Sequence, residues 1–125
     1  FDFDRRVLTM SNSGLPYPIK CSEKTCGQIV LPGVPLGSFP GVTYDEVVIP
    51  LERGDVFVFC TDGIFETVND QNEEFGTERV SEVVHAHRGE TARAIVDTVF
   101  AEASAFRARA PQSDDMTVVA VKITA

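Results

Sequence analysis

Acidic residues stand at the ends of two apolar segments, and this placement could support metal chemistry. Asp62 closely follows the apolar run VFVFC at 56–60. Asp114 and Asp115 immediately precede a second apolar run at 116–123. A carboxylate beside a buried strand end is costly unless it is paired or bound to a cation. These acids therefore predict a site for a hard divalent cation, Mn2+ or Mg2+.

Such a site requires the two apolar segments to be neighbouring strands. If strands 55–61 and 116–123 lie side by side and antiparallel, the exit of one adjoins the entrance of the other. Asp62 and Asp114 would then converge, and Gly63 would let the backbone approach closely. Simpler interpretations remain open, because Asp62 could be part of a turn or cap a following helix, and the second acidic pair could be a solvated bend. Spacing alone favours these simpler interpretations.

The surrounding pattern indicates an α+β fold, with a mainly antiparallel sheet and helices packed on one of its faces. Alternation and turn residues predict strands over 3–11, about 17–21, 42–51, 55–61 and 116–123. Residues 42–61 are predicted to form a hairpin, and the last strand, which is apolar on both sides, a central strand.

Helical spacing of apolar residues predicts three helices, a short one near 62–70 and longer ones over 77–88 and 91–109. Thr77 is the expected N-cap of the middle helix. The longest helix carries a broad apolar stripe that the sheet must cover.

Composition excludes some classes of partner. The net charge of -8 disfavours nucleic acid and anionic membranes, and no apolar run approaches the ~20 residues that span a bilayer. The three cysteines and the lack of a signal segment predict a reducing, cytoplasmic setting. The chain begins with Phe1 and is expected to be cut from something longer.

The cysteines and histidines carry no predicted chemistry. Cys21 and Cys26 have no further cysteine or histidine pair nearby at zinc-ligand spacing, so two ordinary thiols in a hairpin are predicted. Cys60 is expected to be a small core residue. His85 and His87 lack an acid or cysteine partner at a helical offset, which indicates a structural role.

Three stretches together resemble a known family. They are LTMSNSGLPYPI at 8–19, the long segment 36–80 that contains GDVFVFCTDGIFE, and QSDDMTVVAVKI at 112–123. This order resembles the C-terminal half of the PPM-type metal-dependent serine/threonine protein phosphatases, in the bacterial branch of the stage II sporulation protein E. The resemblance covers nearly all of the chain, and the TDG and DD-x-T motifs are fairly specific as a pair.

The resemblance implies an α-β-β-α sandwich that hydrolyses phosphoserine or phosphothreonine with two Mn2+ or Mg2+ ions and a bridging hydroxide. By position, Asp62 and Asp114 resemble metal ligands, and Asp115 a neighbour with a looser role. Glu66 and the helix after it resemble a region that in this branch contacts regulators and helps to complete the metal site, and Gly63 is a further residue beside that site. No catalytic residue beyond the metal ligands is implied.

The same resemblance suggests a biological setting. The substrate would be a phosphoprotein similar to an anti-anti-sigma factor, and the parent a bacterial signalling protein in stress response and sigma factor regulation. A second copy of the chain is a further expected partner, since a half-domain exposes core surface.

Two departures from the family pattern matter. The GD…GHG motif of the first half is not in this chain, and Leu15 stands where the family has a histidine. We therefore expect residues 1–125 to be the C-terminal portion of the domain, without the N-terminal portion, and to be inactive alone. A non-catalytic PPM-like interaction module is the alternative. A receiver-like phosphoacceptor is a weaker one, because the alternation of a doubly wound sheet is missing.

Overall fold

A computed structural model describes all residues, 1–125, as six strands and three helices. The strands are β1 (Val7–Met10), β2 (Ile19–Cys21), β3 (Cys26–Gln28), β4 (Val47–Pro50), β5 (Val56–Cys60) and β6 (Val118–Lys122). The helices are α1 (Asp62–Phe65), α2 (Gly76–His87) and α3 (Ala92–Arg107). The predicted α+β class is confirmed, although the first strand is shorter than predicted because 3–6 form a turn.

The strands form two antiparallel sheets. One has the order β3-β2-β5-β6, and the other consists of β1 and β4. Helices α2 and α3 cover one face of the four-stranded sheet, where their buried residues meet those of β2 and β5: Val80, Val84, Ile95, Val99, Ala103, Ile19, Val56 and Val58. The opposite face packs on the two-stranded sheet through Leu8, Leu51, Phe57 and Ile123. Helices therefore lie on one side only, as predicted.

The predicted hairpin over 42–61 is wrong, because β4 and β5 lie in different sheets. β4 pairs with β1, whereas β5 pairs with β2 and β6. β5 is buried on both faces, so a second layer must cover the face that the helices leave open. The turn between them is fixed by Asp55, whose buried carboxylate accepts from the Glu52 N–H at 3.0 Å and contacts Lys20 Nζ at 2.8 Å.

The last strand lies at the edge of the four-stranded sheet, so the prediction of a central strand is wrong. β6 pairs with β5 alone, and Val119 remains 49% exposed. Its inner residues Val118 and Ala120 pack against the helical core. An apolar pattern on both faces reports burial of the faces, not the presence of a strand on each side.

The middle helix begins at Gly76, so the predicted N-cap at Thr77 is wrong and Phe75 occupies that position. The hydroxyl of Thr77 instead faces the side-chain amide of Gln28, 3.5 Å away on β3. α3 has a conventional cap, since the Thr91 hydroxyl accepts from the Ala94 N–H at 3.2 Å. None of the helices has the length and apolar character needed to cross a membrane.

Cys21 and Cys26 form a disulfide, so the prediction of two ordinary thiols is wrong. The two residues are paired directly across β2 and β3, with Cα atoms 4.0 Å apart. The two cysteines do lie in a hairpin, as predicted, and the pairing of its strands brings the sulfurs together. Cys60 is the one free cysteine, and burial raises the pKa of its thiol to about 12.

We expect Cys60 to resist alkylation in the folded chain. Its raised pKa keeps the thiol protonated at mildly alkaline pH, and the reactive species is the thiolate. Iodoacetamide should label no cysteine of the native, unreduced chain, and label Cys60 once urea is added. Mass spectrometry of the digested protein reads out each site. Rapid labelling of Cys60 without denaturant would contradict its placement in the core.

Candidate metal centre and adjoining cleft

The end of β5 and the start of β6 are joined through Thr61. Its N–H donates to the Thr117 carbonyl at 3.1 Å, and its hydroxyl accepts from the Thr117 N–H at 2.9 Å. The same hydroxyl donates to the carbonyl of Asp115 at 3.2 Å. The two strands are therefore antiparallel neighbours, and the segments that carry the predicted ligands adjoin as the sequence suggested.

Gly63 lies directly against the backbone of the acidic pair. A Cβ on this residue would sit 2.2 Å from the carbonyl oxygen of Asp115 and 3.3 Å from that of Asp114. No side chain fits there without displacing backbone. Glycine at this position therefore allows the close approach that the sequence predicted.

The side chains of Asp62, Asp114 and Asp115 are exposed to solvent, and they make few hydrogen bonds within the protein. Asp62 Oδ1 accepts from the Gly63 N–H at 3.0 Å, and Asp114 Oδ1 from the Asp115 N–H at 2.7 Å. None of these acids takes part in an ion pair. Asp62, Asp114 and Asp115 do not form a set of three with all ligand atoms within 4.8 Å. Ligation of one ion by these residues therefore stays a prediction.

The donor chemistry at this place fits Mn2+ or Mg2+. It consists of exposed carboxylate oxygens with no cation to neutralise them, which is the ligand type that hard divalent ions take. Two or three carboxylates are a small ligand set for Mg2+, which keeps most of its waters in such a site. An ion here would be held weakly by these residues alone.

Asp62 and Glu66 border a cleft of about 610 Å3 beside α1. Glu74 adds a third carboxylate to its lining, which contains no Lys or Arg, so the cleft is acidic. Asp114 and Asp115 lie outside this lining. The cleft and the predicted metal centre thus have Asp62 in common.

Helix α1 places Asp62 and Glu66 one turn apart. The Glu66 N–H donates to the Asp62 carbonyl at 2.8 Å. The buried hydroxyl of Thr67 donates to the Gly63 carbonyl at 2.8 Å, and the Thr67 carbonyl accepts from Phe75 N–H at 2.7 Å. These bonds attach the short helix to the start of α2, which holds both acids at the cleft.

The far wall of the cleft is built by a turn at residues 12–15. Asn12 is 8% exposed, and its side chain donates to the Leu15 carbonyl and accepts from the Leu15 N–H, each at 2.9 Å. A Cβ on Gly33 would clash with the Asn12 carbonyl oxygen, so the loop 31–41 packs tightly on this turn. Leu15 is thereby held in the cleft lining with 66% of its surface exposed.

Several cleft residues were not predicted from the sequence: Asn12, Tyr17, Gln28, Glu74 and Thr77. They come from the first turn, from β3 and from the start of α2, and no common spacing links them. The only local signal in the sequence is the turn-forming triplet Asn-Ser-Gly at 12–14. Their proximity follows from the pairing of β2 with β3 and β5.

A comparison with protein-family models matches residues 1–124 to the family described as Stage II sporulation protein E (SpoIIE). The chain belongs to the SpoIIE family. The match spans nearly the whole chain, and it confirms the family that the TDG and DD-x-T motifs suggested. Among curated proteins, no sequence match was found.

Solved structures similar to this SpoIIE-family chain include PP2C phosphatase domains. The SiaA-PP2C domain of Pseudomonas aeruginosa aligns over 98% of this chain and 48% of its own, with 20% identity and a TM-score of 0.81. The PP2C phosphatase domain of SpoIIE from Bacillus subtilis, with a fragment of its regulatory domain, aligns over 95% and 34%, with 22% identity and a TM-score of 0.76. The RsbU and RsbW domains of Rv1364c from Mycobacterium tuberculosis align over 99% and 34%, with 21% identity and a TM-score of 0.75.

These likenesses show that the chain has the fold of part of a PP2C phosphatase domain. The chain spans about half of the length of the first of these structures and about a third of the other two. One further structure, also of the SpoIIE phosphatase domain from Bacillus subtilis, is described as Mn presoaked.

Proposed function

We propose that this chain is part of a metal-dependent protein phosphatase that hydrolyses phosphoserine or phosphothreonine on a regulatory protein. The observation that carries the proposal is the junction of β5 and β6, where Thr61 and Gly63 hold the Asp62 segment against Asp114 and Asp115. Membership of the SpoIIE family and the PP2C fold support it. Residues 1–125 act, in this proposal, as the C-terminal portion of a PPM-type domain.

The residues of this chain have separate tasks in the proposed reaction. Asp62 and Asp114 supply carboxylate oxygens to Mn2+ or Mg2+, and Asp115 supports them through its backbone contact with Gly63. When bound, such ions lower the pKa of a coordinated water and neutralise charge on the phosphoryl oxygens. Glu66 lies one helical turn after Asp62 in the acidic cleft, where it helps to complete the site or contacts a regulator.

The substrate would approach over the cleft beside Asp62. Leu15 presents an exposed apolar side chain on one wall, so it can contact the surface of a folded phosphoprotein. We propose an anti-anti-sigma factor-like domain as that phosphoprotein, within bacterial stress signalling and sigma factor regulation. The net charge of -8 argues against nucleic acid as the partner. A homodimer is a second proposed association.

We expect Mn2+ to bind the chain weakly, and the Asp62→Asn, Asp114→Asn double variant to bind at least about tenfold more weakly, because both ligands lose their charge. Isothermal titration calorimetry on the two proteins measures the difference. The matched control is Asp70→Asn, which removes one exposed carboxylate outside the centre and should leave Mn2+ binding unchanged. The chain alone should show no turnover of p-nitrophenyl phosphate with Mn2+.

Other results of the Mn2+ titration and the turnover assay would contradict parts of this proposal. Equal Mn2+ affinity in the wild type and the double variant would refute the assignment of Asp62 and Asp114 as ligands. Absence of Mn2+ binding in both would favour the alternative, a non-catalytic PPM-like interaction module, which the exposed Leu15 at the family's histidine position also supports. Measurable phosphatase turnover by the chain would refute its predicted inactivity and strengthen the proposed chemistry.

A further inference from the structure

A second cluster of metal-binding side chains lies apart from the acidic cleft. Cys21, Cys26 and His85 each offer one ligand atom, and these atoms all lie within 4.8 Å of one another. The chain contains no other group of three or more histidine, cysteine or acidic residues with this geometry. None of the three residues lines the acidic cleft.

The β2–β3 hairpin presents the two sulfurs. Cys21 and Cys26 are directly paired, and the next pair is hydrogen-bonded, with Ser22 N–H donating to the Thr25 carbonyl at 2.7 Å. Hydrogen-bonded and non-hydrogen-bonded pairs alternate along an antiparallel ladder, so the cysteines form a non-hydrogen-bonded pair, in which side chains lie closest. Such a pair suits either a disulfide or joint ligation of one ion.

Helix α2 contributes the third ligand. Cys26 Sγ lies 3.3 Å from the Ser81 carbonyl, one turn before His85. The Nδ1 atom of His85 is buried and has no hydrogen-bond partner. A buried polar atom without a partner is unfavourable and indicates an unmet interaction. By contrast, Nδ1 of His87 contacts Glu90 Oε1 at 2.9 Å, although the sequence had indicated no acidic partner for it.

We propose that reduction of the Cys21–Cys26 disulfide creates a Zn2+ site formed by Cys21, Cys26 and His85. Reduction transfers two electrons and two protons from a dithiol to the protein disulfide, and the dithiol itself becomes oxidised to a disulfide. Binding of Zn2+ then releases the two thiol protons, since thiolates are the ligands. Two thiolates neutralise the ion, and the neutral imidazole completes three protein ligands.

Zn2+ fits this set better than Mn2+ or Mg2+. Thiolate and imidazole ligands are softer than the carboxylates of the acidic centre, and Zn2+ accepts both at four-coordinate geometry. Three protein ligands leave a fourth position for water. The disulfide and the ion exclude one another, so the site is available to Zn2+ only in the reduced chain.

The ion would change how the hairpin is attached. The disulfide joins β2 to β3 only, whereas an ion would also join both strands to α2. β3 and α2 both line the acidic cleft, through Gln28 and Thr77, whose side chains face each other at 3.5 Å. A zinc ion at this site would therefore hold β3 and α2, which form two walls of that cleft, in a fixed position relative to each other.

A cobalt titration tests the proposal on the 125-residue chain. The chain is reduced without oxygen, and Co2+ is added while absorption is recorded. We expect one equivalent of Co2+ to give a thiolate-to-cobalt charge-transfer band that Zn2+ abolishes. The unreduced chain should give no band. Carboxylates cannot produce this band, so Asp62→Asn should retain it, and the result is independent of the acidic centre.

Variants define the ligands. His85→Ala and Cys26→Ser should weaken Co2+ binding at least about tenfold, whereas His87→Ala, the matched control two residues away, should not. If His85→Ala fails to fold by circular dichroism, nuclear magnetic resonance on the wild type decides instead, because the chain has two histidines. Zn2+ should then shift the ring protons of His85 and leave those of His87 unchanged. Absence of the band in the reduced wild type, or Co2+ and Zn2+ responses that do not involve His85, would overturn the proposal.

Discussion

Gly63→Ala is expected to lower the free energy of unfolding by about 1–3 kcal/mol, the usual cost of forcing extra volume into a packed site. The added Cβ would meet the Asp115 carbonyl oxygen at 2.2 Å, and that oxygen belongs to backbone that cannot rotate away. The direction of this change in unfolding free energy distinguishes the clash from the helical preference of alanine. Gly63 lies in α1, where alanine would otherwise be favoured over glycine by about 1 kcal/mol. Urea denaturation followed by circular dichroism gives the measurement.

The matched control is Gly89→Ala. A Cβ on Gly89 meets nothing within 4 Å and the residue is exposed, so this variant should be neutral or slightly stabilising. A stabilised Gly63→Ala would show that the strand ends are not in close contact. The same clash would push the Asp62 segment away from Asp114, so Mn2+ binding should fall along with stability in this variant.

Phe57→Ala is expected to cost about 3–5 kcal/mol of unfolding free energy, the range for deleting a large buried aromatic side chain. Phe57 is completely buried between the two sheets with Leu8, Leu51 and Ile123. Its ring also meets the edge of Phe1 at a centroid distance of 5.6 Å. The substitution removes the largest fully buried side chain between the sheets.

Phe39→Ala is the matched control, because Phe39 is 66% exposed in the loop between β3 and β4. Chemical denaturation should give it an unfolding free energy close to that of the wild type. A loss below about 1 kcal/mol in Phe57→Ala would mean that the contact between the sheets contributes little to stability. The two-layer description of the fold would then need revision.

Much of the local structure could be predicted from the sequence, since it depends on periodicity. The apolar stripe of α3 and the run at 56–60 each report which faces are buried, and both elements were found as predicted. The sequence also predicted the position of Asp62 at the end of a strand, with Gly63 after it. These features are encoded by neighbouring residues, so no distant contact is needed to recognise them.

The order of the strands could not be read in the same way. β4 and β5 are separated by five residues, which is typical of a hairpin, yet they belong to different sheets. Burial of both faces of β5 decided this, because the two-stranded sheet must cover the side opposite the helices. β6 was predicted to be a central strand because both of its faces are apolar, although it forms an edge of the sheet.

What the sequence by itself determined is the identity of most of the elements, the SpoIIE-family motifs and the acids at the two strand ends. The tertiary structure alone decided which side chains meet. It placed His85 beside Cys21 and Cys26, despite 58 residues between His85 and Cys26 in the chain, and it built the cleft from Asn12, Gln28 and Thr77. Periodicity records the local environment of each residue, whereas these contacts arise from strand pairing and helix packing between distant segments.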